Sequence, residues 1–216
     1  MDEQLQEYIL GHIDPEPPHL RQLARDVNVY LLYPRMCSGH LQGRILGMLT
    51  HMIAPLNVLE LGTYAGYSAL SIAEALGPDA RLHTIEIDDE MEDFIRGRFD
   101  QSPAGSKISL HIGDARDILP GLADIEWDMV FIDANKRLYT EYYEMILPHV
   151  RPGGYILADN TLWDGKVVDP EHNHDAQTRG IIDFNNLVAA DSRVEKVILP
   201  LRDGLTIIRK KTDNQL

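Results

Sequence analysis

Hydrophobic residues follow two different spacings along the chain, and the change falls near residue 55. Before it, apolar residues recur at helical spacing, which predicts helices. We expect them in DEQLQEYILGHI, PPHLRQLARDVNVYLL and SGHLQGRILGMLTHMI, with prolines separating the first two and Pro34 ending the second. Ser38 is expected to cap the N-terminus of the third helix.

After residue 55, short apolar strands alternate with helical segments. The expected strands are NVLELG, RLHTIEID, KISLHIGD, WDMVFID, GGYILAD, VEKVILPL and GLTIIRKK, and the expected helices are YSALSIAEAL, DEMEDFIRGRFDQS, ARDILPGL, RLYTEYYEMILPHV and TRGIIDFNNLVAAD. Such repeats predict a mainly parallel sheet with helices on both faces. The last two strands meet around Arg202-Asp203-Gly204, a hairpin signal that makes one strand antiparallel. The segment NTLWDGKVVDPEHNHDAQ lacks periodicity and is predicted to be a loop.

No linker separates the two patterns. We therefore expect one α/β domain over residues 1–216, in which residues 1–54 add N-terminal helices to a core formed by residues 55–216.

Composition narrows the class of protein. Asp and Glu outnumber Lys and Arg by 34 to 20, and the resulting net charge of −14 weighs against nucleic acid and membrane surfaces as partners. No apolar run reaches the ~20 residues of a membrane span and no leader is visible, so we expect a soluble, cytoplasmic protein. The single cysteine, Cys37, excludes an internal disulfide, and a lone thiol is more often a packing residue than a nucleophile.

The first strand runs into VLELGTYAGYS, where Gly62 and Gly66 bracket the turn into the next helix. Glycines allow a backbone to pass close to a ligand, and a helix N-terminus suits a carboxylate or phosphate. The pattern is Glu-x-Gly-x-x-x-Gly, so the dinucleotide fingerprint Gly-x-Gly-x-x-Gly is absent, which disfavours an NAD-dependent dehydrogenase. A glycine-rich turn without a ligand is the alternative.

Acidic residues end the next two strands. Glu86 lies in TIEID at the carboxyl end of its strand, where a carboxylate can accept the hydroxyls of a ribose. Asp114 lies in IGDA, beside the place an adenine would take. Each alone could be a solvated carboxylate. Because ligands of open α/β sheets bind at the carboxyl ends of the strands, the three strand ends together favour a nucleoside-type pocket.

The stretches VLELGTYAGYSAL, TIEID, FIDANK and LADNTLW together resemble the cation-dependent O-methyltransferases, the family of catechol and caffeoyl-CoA methyltransferases and their bacterial relatives. The likeness runs from about Met36 to PLRDGLTI. It implies a Rossmann-like, S-adenosylmethionine-dependent methyltransferase fold, with a seven-stranded, mainly parallel sheet and one antiparallel strand. It also implies a homodimer.

The resemblance further implies which residues bind S-adenosylmethionine: Met36, Ser38, Glu60, Gly62, Thr63, Tyr64, Gly66, Ser68, Glu86, Asp114, Ala115 and Asp133. In that assignment Glu60 and Gly62 line the methionine end and Ser68 holds its carboxylate. Glu86 binds the ribose, Asp114 with Ala115 flanks the adenine, and Met36 with Ser38 closes the pocket from the N-terminal side.

Asp133, Asp159 and Asn160 end the fourth and fifth strands, which are neighbours in such a sheet. Carboxylate and amide oxygens suit Mg²⁺, with Mn²⁺ or Ca²⁺ as alternatives, and the resemblance makes these three residues the metal ligands. The competing interpretation is that Asp133 and Asp159 cap helices.

Lys136 follows Asp133 by three positions and is the candidate general base, with Asp133 beside it in the catalytic group. A cation bound by two vicinal hydroxyls would lower their pKa and fix their direction, so we expect a catechol-like, small aromatic diol as the methyl acceptor. Positive charges nearby should ease deprotonation of Lys136. Otherwise Lys136 would be a solvated surface residue. Many relatives carry an acidic residue where this chain has Asn135.

Three further features stay open. Trp163 is a candidate aromatic wall, and His172, His174 and Asp175 could instead form a transition-metal site. The tyrosines of RLYTEYYEMIL are expected to pack in the helix.

An NAD-dependent oxidoreductase and a non-catalytic binding module are the alternative functions. The binding module is disfavoured because the candidate metal ligands and Lys136 are all present.

Overall fold

The computed structural model describes residues 3–172 and 174–212, which are built around a twisted sheet. The strands are β1 (Asn57–Leu61), β2 (Arg81–Glu86), β3 (Ile108–Ile112), β4 (Trp127–Ile132), β5 (Val150–Asp159), β6 (Val194–Leu199) and β7 (Leu205–Lys210). They form one 7-stranded sheet in the order β3-β2-β1-β4-β5-β7-β6, in which β7 runs antiparallel to β5 and β6. The predicted fold class and the reversed strand are confirmed.

The helices lie in the predicted order. They are α1 (Glu3–Gly11), α2 (Pro18–Tyr30), α3 (Gly39–Ile53), α4 (Tyr67–Ala75), α5 (Glu92–Asp100), α6 (Ala115–Ile118), α7 (Tyr139–Ile146) and α8 (Ala176–Ala190). The segment predicted as a loop contains two 3-10 turns, Trp163–Val168 and Pro170–His172, the first kinked at Asp164 and Gly165. The loop prediction was therefore wrong in part, because turns this short show no hydrophobic period.

Ser38 occupies the predicted position directly before α3, but it does not cap the helix with its side chain. Its side chain makes no capping hydrogen bond, and its backbone is already helical, with φ −57° and ψ −41°. A capping side chain needs an extended backbone to reach back to the first free N–H groups. The Ser38 carbonyl instead accepts a hydrogen bond from the Arg202 guanidinium.

Two buried layers fix the sheet in place. Side chains alternate along β4, so that Met129 and Phe131 face the layer that includes α3 and α4, while Val130 and Ile132 face the layer that includes α7 and α8. Both faces of the central strands are buried, as in other parallel sheets. The carboxyl ends of these strands are therefore held rigidly, and the residues that follow them have fixed positions.

Within the described residues, no helix has the combined length and apolar character needed to cross a bilayer. Cys37 is half-buried, and burial raises the pKa of its thiol, as expected of a packing residue.

Candidate active site

Strand register brings the predicted site residues to one edge of the sheet. Leu61 of β1 pairs with Ile132 of β4, and Ile132 pairs with Ala158 of β5. The next residues on β4 and β5, Asp133 and Asp159, therefore lie on adjacent strand ends. The ends of β1 and β2 continue the same edge.

The two glycines of the first turn are required by protein neighbours. A Cβ on Gly62, whose φ is +92°, would lie 2.1 Å from the Asp133 carbonyl oxygen. A Cβ on Gly66, whose φ is +84°, would lie 2.6 Å from the Phe99 ring. The structure adds a packing reason for both glycines, which let the turn lie against Asp133 and α5. Their predicted place beside a ligand stays a prediction.

Glu60 presents a buried acid at the end of β1. Its exposed fraction is 0%, Thr84 donates a hydrogen bond to Oε2, and Oε1 has no hydrogen-bond partner among the described residues. Burial raises the pKa of Glu60 to about 8, even though Ser68 and Thr84 favour the charged form. A buried acceptor oxygen without a partner is costly, so this position fits a cationic group supplied by a ligand.

Glu86 is buried at the end of β2. Its oxygens accept hydrogen bonds from the backbone N–H groups of Tyr64 at 2.6 Å and Asp88 at 3.0 Å. Burial raises the pKa of Glu86, against the effect of those amides. The carboxylate is therefore held in a fixed orientation with lone pairs left for a hydroxyl.

Asp114 caps α6 and is bound by Arg116. The Asp114 oxygens accept the backbone N–H of Arg116 at 2.9 Å and its guanidinium at 2.6 Å, which lower the pKa of Asp114 to about 2. Ala115 is buried beside it. The structure thus gives Asp114 a capping function that the sequence did not show, and its carboxylate stays charged at neutral pH.

The N-terminal segment reaches over the β1 turn. Tyr64, whose φ is +48°, donates from its hydroxyl to the Tyr33 carbonyl at 3.0 Å. Thr63 and Thr84 share a buried hydrogen bond of 2.6 Å, and Ser68 is also buried. Met36 is 58% exposed, so its side chain lies on the surface in this structure.

Lys136 is buried and bonded to Asp133. Its Nζ lies 2.7 Å from Asp133 Oδ1, and 5.1 Å from the centre of the Tyr139 ring. Burial alone would lower the pKa of Lys136, but Tyr139 and Asp133 raise it above its ordinary value. Lys136 is therefore not a solvated surface residue, and within the chain alone Tyr139 and Asp133 favour its charged form. The easier deprotonation expected beside bound positive charges stays a prediction.

Asp159 is held by Gln42, a residue that the sequence did not single out. Gln42 Nε2 donates to Asp159 Oδ2 at 2.6 Å, and both side chains are buried. Burial and then the charge of Asp133 raise the pKa of Asp159 to about 6. The Tyr139 hydroxyl donates to the Asp159 carbonyl at 3.2 Å. Two neighbouring carboxyl groups that repel each other in this way could hold a cation between them.

Asn160 follows with a left-handed backbone, φ +58°. Its Nδ2 lies 3.5 Å from Asp203 Oδ2 in the β6–β7 turn. A non-glycine residue in this conformation is held there by its surroundings and is frequent at functional sites. Asp133 and Asp159 thus lie close enough to interact, and Asn160 follows Asp159 in the chain. Their role as metal ligands stays a prediction.

The capping alternatives for the two aspartates are not seen. The turn that starts at Lys136 is capped by Asn135, whose side chain accepts from the Arg137 N–H at 3.2 Å, and the turn after Asp159 is preceded by Leu162. Asn135 is exposed. An acidic residue there could accept the same hydrogen bond.

The remaining candidates take structural positions. Trp163 packs, partly buried, against the core layer of α7 and α8, and its role as an aromatic wall stays a prediction. Asp175 caps α8 by accepting from Thr178 and Gln177, which lowers the pKa of Asp175 to about 2. His174 is exposed, and the side chain of His172 lies outside the described residues. No group of three His, Cys, Asp or Glu in the described part of the chain could hold a metal. The tyrosines Tyr139, Tyr142 and Tyr143 are buried, as predicted.

Comparison with known proteins decides the family. The O-methyltransferase family profile matches residues 12–211. The chain belongs to this O-methyltransferase family. It is 36% identical to caffeoyl-CoA O-methyltransferase 2 of Zea mays over 220 residues, covering 95% of this chain and 82% of the relative. It is 39% identical to catechol O-methyltransferase of Niastella koreensis over 163 residues, covering 74% of this chain and 73% of the relative.

A solved structure agrees. The O-methyltransferase TomG of Streptomyces achromogenes, in complex with S-adenosylmethionine, superposes with a TM-score of 0.89 at 31% identity, covering 98% of this chain and 100% of TomG. This protein is therefore an S-adenosylmethionine-dependent O-methyltransferase, and the oxidoreductase and binding-module alternatives are set aside. The buried, unpartnered Glu60 oxygen fits the amino group of that cofactor.

Proposed function

We propose that this O-methyltransferase methylates one hydroxyl of a vicinal aromatic diol with the help of a divalent cation, Mg²⁺ by preference. The observation that carries the proposal is the pair of adjacent carboxyl groups, Asp133 and Asp159, with Asn160 beside them at the sheet edge. Hard oxygen donors of this kind fit Mg²⁺ or Mn²⁺ and leave positions for other oxygens. The names of the maize and Niastella koreensis relatives, which act on caffeoyl-CoA and catechol, support a diol acceptor.

The cofactor is proposed to lie along the ends of β1, β2 and β3. Glu60 would hold its amino group, Ser68 its carboxylate and Glu86 its ribose hydroxyls, while Asp114 and Ala115 flank the adenine. Each of these side chains is fixed by bonds or burial before the cofactor arrives. Much of the rate gain would then come from positioning of the reacting groups.

The cation is proposed to bind Asp133, Asp159 and Asn160. When bound, it lowers the pKa of the acceptor hydroxyls and sets their direction. Lys136, held by Asp133, is proposed to receive the hydroxyl proton. Lys136 must first be neutral. Asp133 and Tyr139 favour its charged form, whereas a bound cation and the sulfonium of the cofactor would oppose it.

An acceptor panel tests the proposal. Catechol, caffeate and caffeoyl-CoA are incubated with labelled cofactor in Mg²⁺, Mn²⁺ or chelator, and the methylated products are counted. We expect turnover only with metal, and faster turnover of the small diols, because a chain of net charge −14 repels a polyanionic thioester. Full activity in chelator, with no metal in the purified protein, would show that methyl transfer does not need a cation.

The variant Asp159→Ala tests the proposed cation site itself. It should abolish the metal-supported rate and leave cofactor affinity mostly unchanged, because the cofactor residues lie on other strand ends. Loss of cofactor binding in this variant would place Asp159 in the cofactor site instead.

A further inference from the structure

A buried amide fixes the orientation of one proposed cation ligand. Gln42 Nε2 donates to Asp159 Oδ2 at 2.6 Å, and the two residues are 5% and 6% exposed. A planar carboxylate held at one oxygen turns its other oxygen in a defined direction. The partner is neutral, so it orients Asp159 without cancelling the charge that a cation needs. An ammonium or guanidinium in the same place would compete with the cation.

Gln42 is itself held by Arg202, a charged residue near the C-terminal end of the chain. The Arg202 guanidinium donates to Gln42 Oε1 and to the Ser38 carbonyl. Because Arg202 occupies the amide oxygen, the Gln42 nitrogen must face Asp159. Arg202 has a left-handed backbone, φ +49°, in the β6–β7 turn.

Asp203, the residue after Arg202, contacts Asn160, which is another of the proposed cation ligands. Asp203 Oδ2 lies 3.5 Å from Asn160 Nδ2, a long contact that leaves the amide oxygen of Asn160 as its free end. The Asp203 carbonyl accepts the Leu162 N–H at 2.9 Å, and the Gly204 carbonyl accepts the Thr161 N–H at 3.1 Å. The tip of the β6–β7 turn therefore fixes the backbone on the C-terminal side of Asp159 and Asn160.

We propose that Gln42, oriented by Arg202, is a positioning residue for the cation site, and that the β6–β7 turn thereby couples α3 to the methyl-transfer site. The inference rests on the proposed cation binding by Asp159. Residues that orient metal ligands typically change metal affinity or activity by about 10- to 100-fold when they are replaced.

The first test is Mn²⁺ affinity of the purified enzyme, measured by titration with detection of free Mn²⁺ by electron paramagnetic resonance. Gln42→Leu should weaken Mn²⁺ binding by about 10- to 100-fold and leave S-adenosylmethionine affinity, measured by calorimetry, within about twofold. Gln22→Leu is the control, because it removes a similar amide–carboxylate bond, from Gln22 Nε2 to Asp26 Oδ1 at 2.8 Å, on α2. It should leave Mn²⁺ affinity unchanged. Gln42→Met, which keeps the length of the side chain, replaces Gln42→Leu if that variant does not fold.

The second test asks whether Arg202 acts through Gln42. Arg202→Ala should weaken Mn²⁺ binding in the wild-type background and add little in the Gln42→Leu background, since residues in one network are not additive. Arg193→Ala, which breaks a 2.7 Å ion pair with Asp191 at the opposite end of β6, should have no effect in either background.

Three results of these tests would contradict three different claims. Wild-type Mn²⁺ affinity in a folded Gln42 variant overturns the positioning role and leaves the proposed function standing. Additive losses overturn the relay from Arg202. A wild-type enzyme that binds no Mn²⁺ overturns the proposed cation site and this inference with it.

Discussion

At the scale of single residues, the most informative side chain is Glu60. Its pKa of about 8 means that it is mostly protonated near neutral pH, while its Oε1 has no hydrogen-bond partner in the described part of the chain. Because the folded pKa lies above the ordinary value of 4.5, ionisation of Glu60 opposes folding. That cost is absent below about pH 4.5 and grows as the pH rises through that value toward 8. A cationic ligand group would remove the cost.

We therefore predict that S-adenosylmethionine binding at about pH 7 releases close to one proton from Glu60. Calorimetry in buffers of different ionisation enthalpy measures the release. The Glu60→Gln variant should bind with no release, because an amide has no proton to lose. A wild-type binding enthalpy that does not depend on the buffer would contradict the placement of the cofactor amino group.

Lys136→Ala separates proton transfer from metal binding. The variant should bind metal at least as tightly as the wild type, because a positive charge leaves Asp133, and kcat should fall by ~10²–10⁴, the scale of a lost general base. The remaining rate should rise with pH as hydroxide takes over. Lys107→Ala is the control, since Lys107 donates to the backbone carbonyls of Ala73 in α4 and of Leu76 just after it. A wild-type rate for Lys136→Ala at neutral pH would remove the lysine from the chemistry.

Residue identities at strand ends were predictable, and their partners were not. Asp133, Asp159 and Asn160 stand out because each ends an apolar run. Gln42 is separated from Asp159 by 117 positions and from Arg202 by 160, and nothing in the local pattern of either segment indicates the contacts. The sign of the Lys136 pKa shift likewise depends on Tyr139, which packs beside it only in the folded chain.

At the scale of elements, the turn after β1 fixes the site through its backbone. Gly62→Ala should lower the free energy of unfolding by at least about 1–3 kcal/mol, the cost of a strained left-handed residue, because its Cβ would also strike the Asp133 carbonyl. Chemical denaturation measures the loss. Gly77→Ala is the control, since a Cβ there meets nothing within 4 Å. Equal stability of the two variants would show that the turn tolerates a side chain.

Long periodic elements were predictable, while short ones were less so. The strands and the helices α2, α3 and α8 follow from their hydrophobic period. The 3-10 turns between Trp163 and His172 carry no period, and the Ser38 cap was predicted from residue type alone. Arg202 holds the Ser38 backbone, a tertiary contact that overrides the local preference.

At the scale of the whole molecule, the strand order explains why residues far apart in sequence meet. The crossing from β1 to β4 places Asp133 beside the turn that follows β1, and the insertion of β7 next to β5 brings Arg202 and Asp203 to the same edge. The alternation of strands and helices predicted a mainly parallel sheet with its ligands at the carboxyl ends of the strands. It did not predict the strand order, so the approach of Arg202 and Asp203 to this edge could not be inferred from it.

The homodimer expected from the sequence stays a prediction. Large apolar side chains are exposed on the single chain, among them Tyr30 at 72% and Leu32 at 88%, and extended apolar surface commonly marks an interface. Light scattering after size exclusion should give twice the chain mass of 24.4 kDa. A mass of one chain at all concentrations used in the activity assay would show that the monomer is the active form.

The most direct measurement of the central claim is the ratio of methylation rates on catechol and on phenol with the same enzyme, Mg²⁺ and cofactor. If Asp133, Asp159 and Asn160 hold a cation that binds both hydroxyls of the acceptor, catechol should be methylated at least ~100-fold faster, because phenol offers one oxygen and keeps its proton, with a pKa of about 10. Chelator should abolish that preference together with the rate. Equal rates on the two acceptors would contradict the account.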